Sequence, residues 1–326
     1  MPPPPLHDLA CVVHLHTTHS DGTGTVADVV AAARRNALDV VLLTDHDTLG
    51  AKPEEGWHGD VLLLVGEEVS PRNRDHTLVF GVDEPLDHRD RPIAEVAGEA
   101  PLAFAAHPFS RGSDLISRFR GMPHSDPFAD SITGVELWSF VTDTAEQARS
   151  LRDLALMVAA PERALRHPPA HNLAEWDRAC LKRRVVAIGG VDAHQVGIRV
   201  GGHVPLRLMS YARSFRLIHT HVLCQEQPTG EVEHDRAQVY DALREGRCYI
   251  ANDALAPARG FAFWGEETLH VRLPRPAEIR LIRNGEPLAT VKGAALDHVL
   301  EEPGVHRVEA RLGDRTWILS NPIYSS

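Results

Sequence analysis

Apolar runs in this sequence end repeatedly on side chains that bind cations. VVLLTDH (40–46) closes on Asp45 and His46, VLLLVGEE (61–68) on Glu67 and Glu68, PLAFAAHP (101–108) on His107, and VVAIGGVDAH (185–194) on Asp192 and His194. Short unbroken runs of Val, Leu, Ile and Ala read as strands buried on both faces, the pattern of a mainly parallel sheet covered by helices. Parallel strands share one carboxyl-terminal rim, and α/β folds build their sites there. Residues far apart in sequence are therefore expected to meet. Solvated loops also carry charge, but they do not explain ligand-type residues placed directly after one buried run after another.

The first such stretch is HLHTTHSDG (14–22). Read as a continuation of the strand CVVHLH (11–16), it puts His14 and His16 on one face and Leu15 on the other. Two imidazoles side by side can chelate one ion, and Asp21 follows closely. Neighbours on a strand face opposite ways, so only one of Glu67 and Glu68 enters a shared site. Asp45 reads as a partner of a ligand or as a loop cap, and His19 as exposed at the rim. His219 and His221 form a second HxH in RLIHTHVL, read as a strand lining a pocket wall, with a direct metal role as the alternative. Trp138 and Trp176 read as packing residues.

The intervening patterns fit α/β alternation. TVADVVAAARRNA (25–37) is a helix with Thr25 as its N-cap. Helical patterns cover roughly 143–160 and 172–183, and RAQVYDALREG (236–246) ends a helix at a glycine. The interval 200–235 has little periodicity and reads as a lid, a specificity loop or a surface insertion. After about residue 255 short alternating strands take over, with a turn at Asn284-Gly285. The expected division is an α/β domain over 1–255 and a small all-β domain over 256–326.

Composition narrows the function. The 326 residues are 43% hydrophobic, enough for a substantial core. A net charge of −11 argues against binding a nucleic-acid backbone or an anionic membrane, since both need a basic face. Four widely spaced cysteines suggest neither a zinc knuckle nor a disulfide framework. No run is apolar for long enough to span a bilayer, and MPPPPLHDLA does not look like an export signal. The expectation is a cytoplasmic protein acting on a small molecule.

The ordered set His14-x-His16 with Asp21, TDH with Asp45 and His46, GEEVS with Glu68, AHP with His107, and G-x-DAH with Asp192 and His194 resembles the PHP (polymerase and histidinol phosphatase) family. GRCYIAND (246–253) and the closing SNPIY resemble its carbaryl-hydrolase-like (CehA/McbA-like) branch. The resemblance implies a distorted seven-stranded (β/α) barrel holding two or three divalent ions, zinc, manganese or iron. It places His14, His16, Glu68 and Asp192 on a first ion, with Glu68 bridging to a second, and Asp21, His46 and His194 on a third. For the second ion it offers His107, then His76, with Glu136 as a further possibility.

Such ions activate water and stabilise developing oxygen charge, so the implied activity is hydrolysis, with Asp192 or a pocket histidine such as His194 relaying the proton. A phosphoester is the leading substrate class. A carbamate or carboxylic ester is the enzymatic alternative, and a non-catalytic metal-binding module the alternative of another class. Arg199 and His203, on the loop after VDAHQVG, are candidates for holding an anionic substrate group. A homo-oligomer is compatible with all of these readings.

Overall fold

The computed structural model describes residues 5–72, 74–116, 120–195, 197–200, 203–207 and 209–325; over 197–200 and 203–207 it describes the backbone alone. The strands that position the site are β1 (His7–Val13), β2 (Val40–His46), β3 (Val61–Val69), β4 (Thr77–Phe80), β5 (Leu102–Ala105), β6 (Gly134–Ser139) and β7 (Val186–Gly190). They pair in that order. The β1–β2, β2–β3, β5–β6 and β6–β7 pairs are parallel. β4 runs against both of its neighbours. The antiparallel pairing of β3 with β4 returns His76 to the rim where β3 delivers Glu68.

A closed seven-stranded barrel does not form. The other neighbour of β1 is β8 (Ile218–Cys224), antiparallel, followed by β9 (Cys248–Asn252). The outer edge of β7 is instead satisfied by side chains. Thr220 Oγ1 accepts from Gly189 N at 2.9 Å and donates to Gly189 O at 2.8 Å. Asn321 accepts from Ala187 N at 2.7 Å and donates to Ala187 O at 2.9 Å. These bonds occupy backbone groups that a closing ladder would use. Only the ends of β1 and β7 are stitched, through Val191 N to Val13 O (3.0 Å), His16 N to Ala193 O (2.9 Å) and a bridge between Leu15 and Ala193. The interval 200–235, read outside RLIHTHVL as a lid, a specificity loop or a surface insertion, contributes the buried strand β8 beside β1.

Side-chain alternation divides the core into two layers. Cys11, Val13, Val40, Leu42, Leu62, Leu64, Leu102, Phe104, Val186 and Ile188 pack on one face with Val239, Ala242 and Leu243 of helix Val232–Glu245. Val12, Val41, Leu43, Leu63 and Val65 face the other way and meet helix Val26–Arg35 through Val29 and Ala33. Burying a valine such as Val29 contributes about 1.5–3 kcal/mol. That helix starts at a capping box between Thr25 and Asp28, which satisfies N–H groups its first turn leaves open. Helix Val232–Glu245 stops at Gly246, whose φ of 72° is left-handed.

The C-terminal strands β10 (Thr268–Arg283), β11 (Glu286–Val299), β12 (Gly304–Leu312) and β13 (Arg315–Ser320) surround a core containing Leu269, Val271, Ile279, Leu281, Val308 and Trp317. Asn284 (φ 54°) and Gly285 (φ 86°) make the β10–β11 turn, as a two-residue hairpin requires. β13 pairs with β9, so one sheet runs through both parts of the chain. All four cysteines are buried free thiols. Among the described residues no helix is long and apolar enough to cross a membrane.

Candidate metal centre

Glu68 lies at the end of β3 on the face of Leu62 and Leu64, and its carboxylate is almost wholly buried. Its two oxygens meet different imidazoles. Oε2 lies 3.3 Å from His14 Nε2, 3.4 Å from His16 Nε2 and 3.1 Å from His46 Nδ1. Oε1 lies 2.9 Å from His76 Nδ1 and 3.4 Å from His107 Nε2. Across from Glu68, Asp192 Oδ1 stands 3.5 Å from His14 Nε2 and 3.4 Å from His16 Nε2. Glu67 points to the opposite face and accepts from Leu86 N at 2.7 Å. Burial pushes its pKa up to about 7.

Three groups of donors converge here: His14, His16 and Asp192; His14, Glu68 and His107; and His16, Asp21, His46 and His194. The third group sits at the mouth, with Asp21 exposed and His46 and His194 partly so; the first two lie beneath it. His194 Nε2 is 3.2 Å and His46 Nε2 3.8 Å from Asp21 Oδ1.

The spacing suits cations better than hydrogen bonds. Donors about 2.0–2.1 Å from a tetrahedral zinc stand about 3.3–3.4 Å apart. The four N···O separations joining His14 and His16 to Glu68 and Asp192 are 3.3–3.5 Å, mostly beyond ordinary hydrogen-bond length. Among the described residues, both ring nitrogens of His16, Nε2 of His14 and Nδ1 of His107 are buried without a hydrogen-bond partner. Such orphaned polar atoms are costly, and an ion would satisfy those facing the cluster. Burial holds His16 down to about 4, so its imidazole is neutral and has a lone pair to give. Despite burial, which opposes charge on both carboxylates, the surrounding imidazoles hold Glu68 and Asp192 well below the usual carboxylate range.

Local backbone conformation aims several of these side chains. β1 ends at Val13, one residue before His14. Strict alternation would turn His14 away from the layer of Cys11 and Val13, and His107 away from that of Phe104 and Ala106. Both adopt left-handed backbone, with φ of 65° and 31°, and Asp192 does so at 48°. Leu15 packs in the opposite layer, as expected, but a kink at His14 rather than a continued strand brings the two imidazoles together. A non-glycine residue at positive φ carries strain that persists only where its surroundings impose it.

Supporting residues surround the donors. Glu136 Oε2 lies 3.0 Å from His14 Nδ1 and accepts His107 N at 2.8 Å, so it stands behind His14. Asp45 accepts from Thr17 N (2.7 Å), Thr17 Oγ1 (2.6 Å) and Ser20 Oγ (2.5 Å), clamping the loop that carries Asp21. Ser70 Oγ reaches His46 Nδ1 at 2.6 Å, and the Tyr211 hydroxyl donates to His16 O. Ser70 lies inside GEEVS, so the motif carried a trace of it; nothing local in the sequence marks Tyr211.

Other residues singled out in the sequence lie elsewhere. His19 is exposed. His219 and His221 line a cleft beside Leu38 and Asp39, which precede β2, whereas His46 ends it; they therefore lie at the opposite end of the sheet. The side chains of Arg199 and His203 lie outside the described ones. Trp138 and Trp176 are fully buried.

No family model matches the sequence, and no curated protein matches it. Among solved structures, a two-domain protein from Bacteroides vulgatus, described as containing a predicted PHP-like metal-dependent phosphoesterase, is similar with a TM-score of 0.50 and 16% identity. The alignment covers 98% of this chain and 96% of that one. At this identity the likeness speaks for the fold, over the whole length of both chains.

Proposed function

We propose that this protein is a metal-dependent hydrolase of the PHP type, acting on a phosphoester of a small anionic molecule. One observation carries the reading: the two oxygens of buried Glu68 each face a separate set of imidazoles, the arrangement a carboxylate needs to bridge two cations. The phosphoesterase description of the structural neighbour supports the substrate class by analogy of fold.

His14, His16, Glu68 and Asp192 would hold one ion, Glu68 with His107 and His76 a second, and Asp21, His46 and His194 a third. A donor set of imidazole and carboxylate without thiolate suits zinc, manganese or iron. When bound, such ions supply Lewis acidity, acidifying water and offsetting the negative charge of a phosphate. The chain's own residues supply the rest. Glu136 orients His14, Asp45 and Ser70 fix the Asp21 loop and His46, and the buried walls exclude bulk water from the deeper groups. Asp192 and His194, 3.5 Å apart at Oδ1 and Nδ1, link the deeper donors to the mouth and are placed to pass a proton to a leaving group.

The test is a panel of a nitrophenyl phosphate, a nitrophenyl phosphodiester, and a naphthyl ester and carbamate, offered to zinc-, manganese- and iron-loaded protein. Turnover of a phosphoester that is lost in Asp192→Asn is the expected result. Preference for the ester or carbamate would replace the substrate class. Full activity in Asp192→Asn would remove this cluster from the chemistry.

A further inference from the structure

A second constellation lies at the far end of the sheet. His219 and His221 project from β8 and Asp253 follows β9. All three line a cleft of about 610 Å³ that also includes Asp39, Arg216 and Arg259. The length of β2, at about 3.3 Å per residue, puts this cleft roughly 20 Å from His46.

Each imidazole is fixed from behind. His219 Nε2 lies 2.7 Å from the Phe215 carbonyl oxygen, and His221 Nδ1 lies 2.7 Å from Asp8 Oδ1. A carbonyl or carboxylate oxygen has no proton to give, so each ring donates through that nitrogen. In the neutral rings this leaves the lone pairs of His219 Nδ1 and His221 Nε2. Both face Asp253 Oδ2, at 2.7 and 2.9 Å. The other Asp253 oxygen is occupied by Ala258 N at 2.8 Å. Three electron-pair donors thus converge, and a convergence of that kind needs a metal ion or additional protons between the donors.

We propose that His219, His221 and Asp253 form a second metal site, taking one divalent ion of the zinc or iron(II) type. Two imidazoles and one carboxylate form an open donor set for such ions. Outer acceptors that set the orientation of both rings are the usual support of metal-bound histidine. The cleft leaves the remaining coordination positions to water or a small ligand, with Arg216 and Arg259 on its wall. Seating the ion moves Asp253 outward by about half an ångström, because donors around tetrahedral zinc stand about 3.3 Å apart.

Protons are the rival occupants: one on His219 Nδ1 and one on His221 Nε2 would make both contacts to Asp253 Oδ2 hydrogen bonds, with His221 clamped between Asp8 and Asp253. Anomalous diffraction at the zinc edge from zinc-loaded, full-length wild-type protein separates the two. The expected result is a peak within about 2.0–2.2 Å of His219 Nδ1 and His221 Nε2. No peak there, in crystals that show zinc at Glu68, overturns the proposal. Zinc counting on the full-length Glu68→Gln/Asp21→Asn variant, which removes donors from all three rim ions, gives a second reading. About one equivalent should remain and should disappear when His219→Gln is added; a count that His219→Gln leaves unchanged is equally fatal. Neither measurement depends on whether the rim cluster hydrolyses any substrate.

Discussion

Glu136 Oε2 stands 3.0 Å from His14 Nδ1, so a carboxylate on β6 sets the direction in which an imidazole just past β1 presents its other nitrogen. The same oxygen accepts the backbone N–H of His107, tying two donors of the cluster to one side chain. Replacing Glu136 with Gln keeps the volume and weakens the hold on the ring. Affinity for the rim ions should fall about 10–100-fold, and lost turnover should return at high metal concentration. Equilibrium dialysis that finds wild-type affinity would show that His14 needs no such support.

Gly190 leaves the space Glu136 occupies. A Cβ at position 190 would lie 2.1 Å from Glu136 Oε1 and 3.1 Å from the Cβ of His14. Gly190→Ala should therefore destabilise the fold by about 1–3 kcal/mol and weaken metal binding in the same direction as Glu136→Gln. Because both changes act on one carboxylate, their effects on affinity should be less than additive in the double variant. Strict additivity would mean that the alanine acts elsewhere.

Loss of Glu68 should remove ions in pairs. If its two oxygens bridge, Glu68→Gln lowers bound metal by two equivalents and takes hydrolysis with it, whereas Asp21→Asn lowers metal by one from the exposed group. Elemental analysis of the purified variants decides this, and a loss of a single ion from Glu68→Gln would rule out the bridge. Prolonged chelation of the wild type should abolish turnover, and readdition of the divalent ion should restore it.

Much of this cluster was legible because its donors follow apolar runs whose role as strands is plain from composition. Alternation admits only one of Glu67 and Glu68 to the site, and the family resemblance is what selects Glu68; Glu68 turns to the imidazoles and Glu67 to Leu86 N. The turn at Asn284-Gly285 and the helix end at Gly246 were equally local signals. The open sheet was not legible: it depends on Thr220 and Asn321 bonding to β7 across long sequence separations, and no local pattern announces that. The strand at 218–224 was legible in RLIHTHVL, but its place beside β1 was not, because the polar groups among its apolar residues have partners distant in sequence. Left-handed backbone at His14, His107 and Asp192 is also invisible in a sequence, since histidine and aspartate enter that conformation more readily than most residues but still at only a small share of their positions.

His124 gives a pH-dependent contribution to stability that is separable from the ions. Its Nδ1 accepts the N–H of Asp126 at 3.2 Å, so the proton sits on Nε2, which faces Thr77 Oγ1 at 3.2 Å. Burial drives the imidazole down to about 4, against the smaller upward pull of Asp75 and Asp126. An unfolded chain protonates histidine near pH 6.5. Between pH 6.5 and 4 the unfolded state therefore binds a proton that the folded state refuses, and stability falls as pH falls. The contribution is full above about pH 6.5 and amounts to about 2–3 kcal/mol over that window. In chelated protein, His124→Gln should lose less stability than wild type between pH 6.5 and 4.5, measured by urea unfolding. Parallel curves for the two proteins would show that His124 is protonated as readily in the fold as out of it.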